Sequence, residues 1–139
     1  MTWWRNPSWP SDPQVKAVYQ RQLRDIVHAL SGASAARDPD LIAELLAGDV
    51  EILVDSGGAV PVPAHDARGP RASAELILEI VCGYSRLSIT EHEINGGPGI
   101  LLKEDGVLVG VMKADVRRGA ICDIWVILNP DKLISLDVD

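Results

Sequence analysis

From residue 86 onward the pattern of apolar and polar positions changes to the period of a β-strand. Successive side chains of a strand point to opposite faces of a sheet. Four segments are therefore predicted as strands, at residues 86–94, 100–103, 107–116 and 120–128. The sequences EDG at 104–106 and RRG at 117–119 separate the last three, and glycine-ended turns of this kind favour hairpins. The glycines of NGGPG, at 95–99, suit the turn before them. The pattern predicts consecutive antiparallel strands.

Apolar residues follow helical spacing in three segments of the first half. Each segment begins with a capping residue followed by proline and ends near a glycine. The predicted helices are 13–32, 39–48 and 70–83. A short strand at 51–54 is expected after the second helix, with a continuation at 60–62. Helices on one face of a curved, mainly antiparallel sheet make an α+β domain, and many such folds enclose a cone-shaped cavity.

Length, charge and composition argue against several classes of protein. The chain has 139 residues, of which 47% are hydrophobic, so we expect one domain, residues 13–139, preceded by an arm, residues 1–12. A net charge of −7 argues against direct binding of nucleic acid. No apolar run reaches the roughly 18 residues of a membrane span, and we expect a cytoplasmic protein. The two cysteines form no zinc motif, so no metal or cofactor is predicted.

The arm is rich in tryptophan. Trp3, Trp4 and Trp9 are three of the six aromatic residues of the chain. A disordered tail rarely contains this much tryptophan. We therefore expect the arm to contact its own domain, a partner subunit or another protein.

Three stretches carry a family resemblance: HALSGASAARDPDLIAELLAGDVEILVD at 28–55, DSGG at 55–58 with RG at 68–69, and NGGPG at 95–99 through NPDKL at 129–133. They are similar to the SnoaL-like, or nuclear-transport-factor-2-like, superfamily. The NPDKL ending in particular resembles the C-terminal domain of extracytoplasmic-function sigma factors. The chain departs from those proteins at Ser56 and Ala59, which stand where they have glycine and lysine. We expect that no sigma region precedes the domain, as in a stand-alone relative or a separated C-terminal part, and that the chain lacks their DNA-binding function.

The resemblance implies a cystatin-like fold with a cone between three helices and a curved sheet. Enzymes of the superfamily commonly place a carboxylate in that apolar cone, where burial tunes its pKa for proton transfer. The candidate pocket residues are the acids that interrupt or end apolar strands, together with aromatic residues of the core pattern: Tyr19, Asp55, Tyr84, Asp115, Asp123 and Trp125.

Each acid also has a structural interpretation. Alternation puts Asp123 on one face with Ile121, Trp125 and Ile127, and a hydrogen-bonded structural acid is an alternative to a general base. Asp115 is expected to pair with Lys113 at the surface of the sheet. Asp55 is expected to shape a turn, and the two tyrosines to pack in the core.

Two functions of different class follow. The favoured one is a non-enzymatic ligand-sensing or protein-interaction domain related to the sigma-factor domain. The alternative is a small cofactor-free isomerase, cyclase or hydrolase acting on an apolar molecule. Partners would be a second copy, since the resemblance implies a homodimer through the open sheet face, a small apolar ligand or a protein of the transcription machinery. The candidate interaction residues are Trp3, Trp4, Trp9, Asn129, Pro130, Asp131, Lys132 and Leu133.

Overall fold

A computed structural model of the chain describes residues 12–56 and 66–134. Residues 1–11 of the predicted arm and the predicted strand at 60–62 lie outside these ranges. The helices are α1 (Pro13–Ala35), α2 (Pro39–Glu44), α3 (Pro70–Cys82) and α4 (Pro130–Ile134). The strands are β1 (Leu46–Asp55), β2 (Ala67–Arg68), β3 (Leu87–Ile94), β4 (Gly97–Glu104), β5 (Val107–Arg117) and β6 (Ala120–Ile127).

The six strands form one mixed sheet in the order β2-β1-β6-β5-β4-β3. Strands β3 to β6 are an antiparallel meander, as the alternating pattern predicted. β1 joins that meander by pairing in parallel with β6, the strand furthest from it in sequence. The α+β fold with helices on a mainly antiparallel sheet is therefore confirmed.

Two-residue turns connect the strands of the meander. Asn95-Gly96, Asp105-Gly106 and Arg118-Gly119 all have positive φ at both positions, as in the type I′ turns that match the twist of a hairpin. The predicted turn at 95–99 is too long, because residues 97–99 already belong to β4 and pair with β3. The missing side chain of Gly99 matters there, since a Cβ at this position would lie 2.5 Å from Cδ1 of Ile94.

The helices begin where predicted but end elsewhere. The side chains of Asp12 and Asp38 accept backbone N–H bonds at the starts of α1 and α2. α1 continues through Gly32, which is exposed and meets no neighbour. α2 ends at Glu44, and the prediction that it reaches residue 48 is wrong. Leu46 instead begins β1, where pairing with Ile121 provides the tertiary contact that overrides local helical spacing.

Apolar residues cover both faces of the sheet. On the inner face, α1, α2 and α3 pack on the sheet around fully buried residues such as Leu30, Ile52, Ile80, Leu102 and Val126. On the outer face, turned away from these helices, a smaller cluster contains Ile94, Leu101, Val111, Ile127 and Leu133. Leu133 comes from α4, which thus covers part of the outer face. None of the helices in the described part of the chain has the length and apolarity to cross a membrane.

Candidate functional site

Three predicted pocket residues meet at one end of the sheet. Tyr19 on α1, Asp115 on β5 and Asp123 on β6 lie together with Cys122, and we call these four residues the acid–tyrosine cluster. A β-bulge creates this arrangement, because Asp115 pairs with Asp123 while the next residue of β5, Val116, pairs with Ile121. Cys122 is the extra residue of β6. Bulges of this kind redirect side chains, and they are frequent beside functional sites.

Asp115 is the centre of the cluster. Its side chain is buried, with 5% of the residue exposed, and its carboxylate accepts hydrogen bonds from the Tyr19 hydroxyl and from the N–H of Val116, the latter at 2.9 Å. The prediction that Asp115 pairs with Lys113 at the sheet surface is wrong about the surface. Lys113 is also buried, with 2% exposed, and its Nζ donates to the carbonyl of Ile94 at 2.7 Å.

Burial shifts the acid–base properties of the cluster towards uncharged forms. It raises the pKa of Tyr19, with the neighbouring Asp115 adding to the effect, and raises the pKa of the Cys122 thiol to about 11. It also raises the pKa of Asp123, with further contributions from Asp115 and Glu51. Nearby, burial lowers the pKa of Lys113 to about 8. Desolvation penalises every charged form here.

The bulge also places Asp123 on the face of the sheet opposite to that of Ile121, so the predicted grouping of the two residues is wrong. Strict alternation grouped it with Ile121, but Ile121 packs in the inner core together with Ile124 and Val126. Because Cys122 inserts one residue, Asp123 follows Trp125 and Ile127 to the outer face instead. Trp125 therefore lies on the outer face too, half-buried beside the smaller apolar cluster and not in the cone.

The raised pKa of Asp123 predicts a pH-dependent effect of Asp123→Asn. The folded protein holds the Asp123 proton more tightly than the unfolded chain does. This contribution to the free energy of unfolding of the wild type is therefore lost as pH rises above about 3.8, the ordinary pKa of aspartate, and through the higher pKa of the folded state. Asparagine removes this loss. We expect the variant to be more stable than wild type at pH 7 and no more stable at pH 3.5, measured by urea unfolding. Asp49→Asn is the control at the same sheet end, and a gain independent of pH would contradict the assignment.

Asp115, Cys122 and Asp123 could in principle share a cation, because one ligand atom from each lies within 4.8 Å of the others. The chemistry of the donors does not favour this. A metal-bound cysteine must be a thiolate, whereas burial raises the pKa of Cys122, and Asp115 already accepts two hydrogen bonds. The absence of a metal stays a prediction.

Asp55 belongs to a second group of side chains, which we call the C-terminal clasp. Its carboxylate forms an ion pair with Lys132 and accepts a 3.4 Å hydrogen bond from Nδ2 of Asn129. Asn129 also accepts from the N–H of Asp131 at 3.1 Å, which starts α4. Leu133 then packs on the outer face. Asp55 thus contacts the NPDKL sequence directly. Three of the predicted interaction residues make contacts inside the domain: Asn129, Lys132 and Leu133.

The remaining predicted pocket residue, Tyr84, lies apart from both groups. It packs against the inner core, and its buried hydroxyl has no hydrogen-bond partner within the described residues. Burial, with a contribution from Glu104, raises its pKa. Sequence reasoning missed the parts played by Cys122 and Lys113. A polar residue inside an apolar strand is the available signal for Lys113, although its charge favours the surface position that the sequence predicts.

The inner face offers little space in the part of the chain that the structure describes. Apolar side chains from α1, α2, α3 and all the long strands fill the region between helices and sheet. Four cavities of about 380, 360, 280 and 250 Å³ border the described residues, and all lie at the periphery. The second is an apolar groove between α1 and the β5–β6 turn, lined by Ile26, Ala29, Leu45 and Val116 among others.

Comparison with known proteins shows which sequences and folds this chain is similar to. No protein-family model matches the chain. The extracytoplasmic-function sigma factor SigJ of Mycobacterium tuberculosis is 30% identical over 118 residues, which are 78% of this chain and 38% of SigJ. Its crystal structure superposes with a TM-score of 0.62 at 27% identity, covering 87% of this chain and 49% of that one. The chain therefore spans less than half the length of its sigma-factor relative.

Two further solved structures share the fold. A Silicibacter pomeroyi protein with a cystatin-like fold is 22% identical, with a TM-score of 0.56 over 82% of this chain and 80% of that one. An NTF2-like protein from Mesorhizobium loti is 20% identical, with a TM-score of 0.57 over 86% of this chain and 95% of that one. The chain thus has the cystatin-like, nuclear-transport-factor-2-like fold and is similar to the C-terminal domain of the extracytoplasmic-function sigma factor SigJ.

Proposed function

We propose that this chain is a non-enzymatic protein-interaction domain, related to the regulatory domain of sigma factors, that binds its partner through the outer face of the sheet. The observation that carries the proposal is the inner face, where apolar side chains of the described residues pack into one buried cluster between the helices and the sheet. The relationship to SigJ supports a partner in the transcription machinery, and the fold supports a second copy of the chain.

The outer face has the composition of a contact surface. Leu53 on β1 is 43% exposed and lies beside Trp125 on β6, with which it is in register. An exposed leucine beside a half-buried tryptophan supplies apolar area for an interface, and tryptophan is enriched at the centres of such interfaces. Glu51 and Asp123 lie opposite each other two positions earlier on the same face, and Glu51 also forms a 3.2 Å ion pair with Arg68. Acidic neighbours give the surface a preference for partners with basic residues.

We expect Leu53→Asp to weaken binding about tenfold or more, since a charge placed at the centre of an apolar contact must be desolvated. The measurement is sedimentation velocity of the chain alone and with Mycobacterium tuberculosis RNA polymerase core enzyme. Leu41→Asp is the matched control, because Leu41 is 46% exposed but lies on α2, away from the outer face. Failure of the wild-type chain to form any complex, with itself or with the polymerase, would overturn the proposal.

The acid–tyrosine cluster favours a second candidate, a small hydrolase or isomerase. It combines a buried carboxylate, a tyrosine hydroxyl and an aspartate with a raised pKa, which are groups that general acid–base catalysis uses. Asp115 would be the base and Tyr19 the group that orients it. Turnover of an epoxide or of a ketosteroid by the wild-type chain, lost in Asp115→Asn, would establish this alternative. The near-complete burial of Asp115 makes it the weaker candidate.

A further inference from the structure

The sides of helix α1 have different surroundings. One side is buried against the sheet and contains Leu23 and Leu30. A second side is tied to the edge strand β3, where Arg24 donates to both carboxylate oxygens of Glu93 at 2.7 and 2.8 Å. The side opposite β3 borders the apolar groove beside the β5–β6 turn and is open among the residues that the structure describes.

This open side carries a stripe of mainly apolar residues, which we call the α1 stripe: Val15, Val18, Gln22, Ile26 and Ala29. Intervals of three and four residues keep these positions on one side of a helix, here over about 21 Å. The spacing is also symmetric about Gln22, since the other positions lie four and seven residues away from it in both directions. The stripe therefore has the same spacing when the helix direction is reversed.

The two halves of the α1 stripe differ in shape. In the N-terminal half, Val15 and Val18 project into solvent, with 52% and 46% of each residue exposed. In the C-terminal half, Ile26 and Ala29 line the apolar groove of about 360 Å³ together with Val116. One half thus provides protruding valines and the other half an apolar recess, so the surface is complementary to a second copy of itself.

We propose that α1 forms a homodimer interface, in which the α1 stripes of two copies pack antiparallel across a two-fold axis at Gln22. Val18 then lies opposite Ile26 of the second copy, and Val15 lies opposite Ala29. The valines of each copy fill the groove of the other. An interface of this kind uses the same surface on both subunits and closes at two copies.

The charged residues beside the stripe complement each other in the same arrangement. Arg21 and Asp25 are exposed, lie one turn apart on α1 and have no ion pair among the described residues. Asp25 of one copy is level with Tyr19 of the other, which is about 3 Å along the helix axis from Arg21. An ion pair between Asp25 and Arg21 therefore forms twice in the dimer. Exposed pairs add little affinity, so their main effect is to favour the antiparallel orientation.

Sedimentation velocity of the full-length chain over a concentration series tests the proposal. We expect a monomer–dimer equilibrium that Val18→Asp weakens about tenfold or more, because the introduced carboxylate is desolvated against Ile26. Ala17→Asp is the matched control, since Ala17 is exposed on α1 but lies off the stripe. A wild-type chain that stays monomeric, or a dimer that Val18→Asp leaves intact, would overturn the proposal.

The proposal does not rest on the proposed function, because the α1 stripe and the outer face are different surfaces. Leu53→Asp on the outer face should leave the dimer unchanged, even where it weakens binding to the polymerase. Loss of the dimer in Leu53→Asp but not in Val18→Asp would assign self-association to the outer face and reject the α1 interface. Absence of polymerase binding would reject the proposed function without affecting the dimer.

A disulfide on the two-fold axis tests the register. Helices packed with their axes about 8–10 Å apart bring facing Cα atoms to about 5 Å, a separation that a disulfide spans. Gln22→Cys in a Cys82→Ala background, which removes the exposed native thiol, should yield a covalent dimer under mild oxidation. Ala17→Cys in that background should stay monomeric. Equal crosslinking of the two variants would reveal random encounters and contradict the register.

Reversing the charge pair tests the orientation. Asp25→Arg should weaken the dimer severalfold, because like charges then face each other across the interface. Adding Arg21→Asp to the same chain should restore the dimer, since it exchanges the two charges and keeps the net charge of the wild type. A double variant that dimerises as weakly as Asp25→Arg alone would reject the antiparallel arrangement.

Discussion

Replacing Gly110 with valine should lower the free energy of unfolding by about 3 kcal/mol, at the upper end of what overpacking a core usually costs. Gly110 is buried in the middle of β5. A Cβ at this position would lie 2.7 Å from Cδ2 of Leu128 and 3.1 Å from Cδ1 of Leu102, with the carbonyl oxygen of Ile127 at 3.4 Å. Both leucines are fully buried and have little freedom to move away. Valine adds two further methyl groups to the same space.

Gly110→Ala makes a smaller version of the same change, because alanine adds only the Cβ and lacks the two methyl groups of valine. We expect it to cost about 1 kcal/mol. Gly48→Val is the matched control, since Gly48 is also a strand residue but is exposed and would meet no atom within 4 Å. Valine favours a strand, so the control should be neutral or slightly stabilising. Chemical unfolding of the three variants measures the series, and equal stabilities for the Gly110 and Gly48 valine variants would contradict the packing described here.

The sheet was the part of the fold that local sequence determined best. Strand periodicity and three turns of the type Asn-Gly, Asp-Gly and Arg-Gly act over a few residues, so β3 to β6 could be predicted together with their antiparallel order. The boundary between α2 and β1 could not. Leu45 and Leu46 fit a helical stripe as well as a strand, and the parallel pairing with β6 that decides between them involves residues 75 positions away, at Ile121.

The candidate site is formed by residues that are even further apart in the sequence, so it was harder to predict. Tyr19 and Asp115 were both identified, but nothing local joins residues that are 96 positions apart. The bulge at Cys122 reversed the predicted face of Asp123 relative to Ile121, because alternation assumes an uninterrupted period of two. Asp55 was expected to shape a turn, and its contact with NPDKL required the fold to bring the end of β1 beside α4.

Removing the side chain of Asp115 should cost about 3 kcal/mol, because Asp115→Ala leaves two donors without their acceptor in a buried site. These are the hydroxyl of Tyr19 and the N–H of Val116, and an unsatisfied buried polar group costs about 1–3 kcal/mol. The small cavity left by the carboxylate adds to this cost. Tyr19→Phe should cost less, about 1–2 kcal/mol, since Asp115 keeps the bond from Val116.

A double-mutant cycle isolates the Tyr19–Asp115 bond from these other losses. If the bond stabilises the fold, the two substitutions together should cost less than the sum of their separate effects, by about 1–2 kcal/mol. Tyr84→Phe is the matched tyrosine control. Its hydroxyl is buried without a partner among the described residues, so its removal should be neutral or stabilising. Strict additivity for Tyr19 and Asp115 would show that α1 is held to this end of the sheet by packing alone.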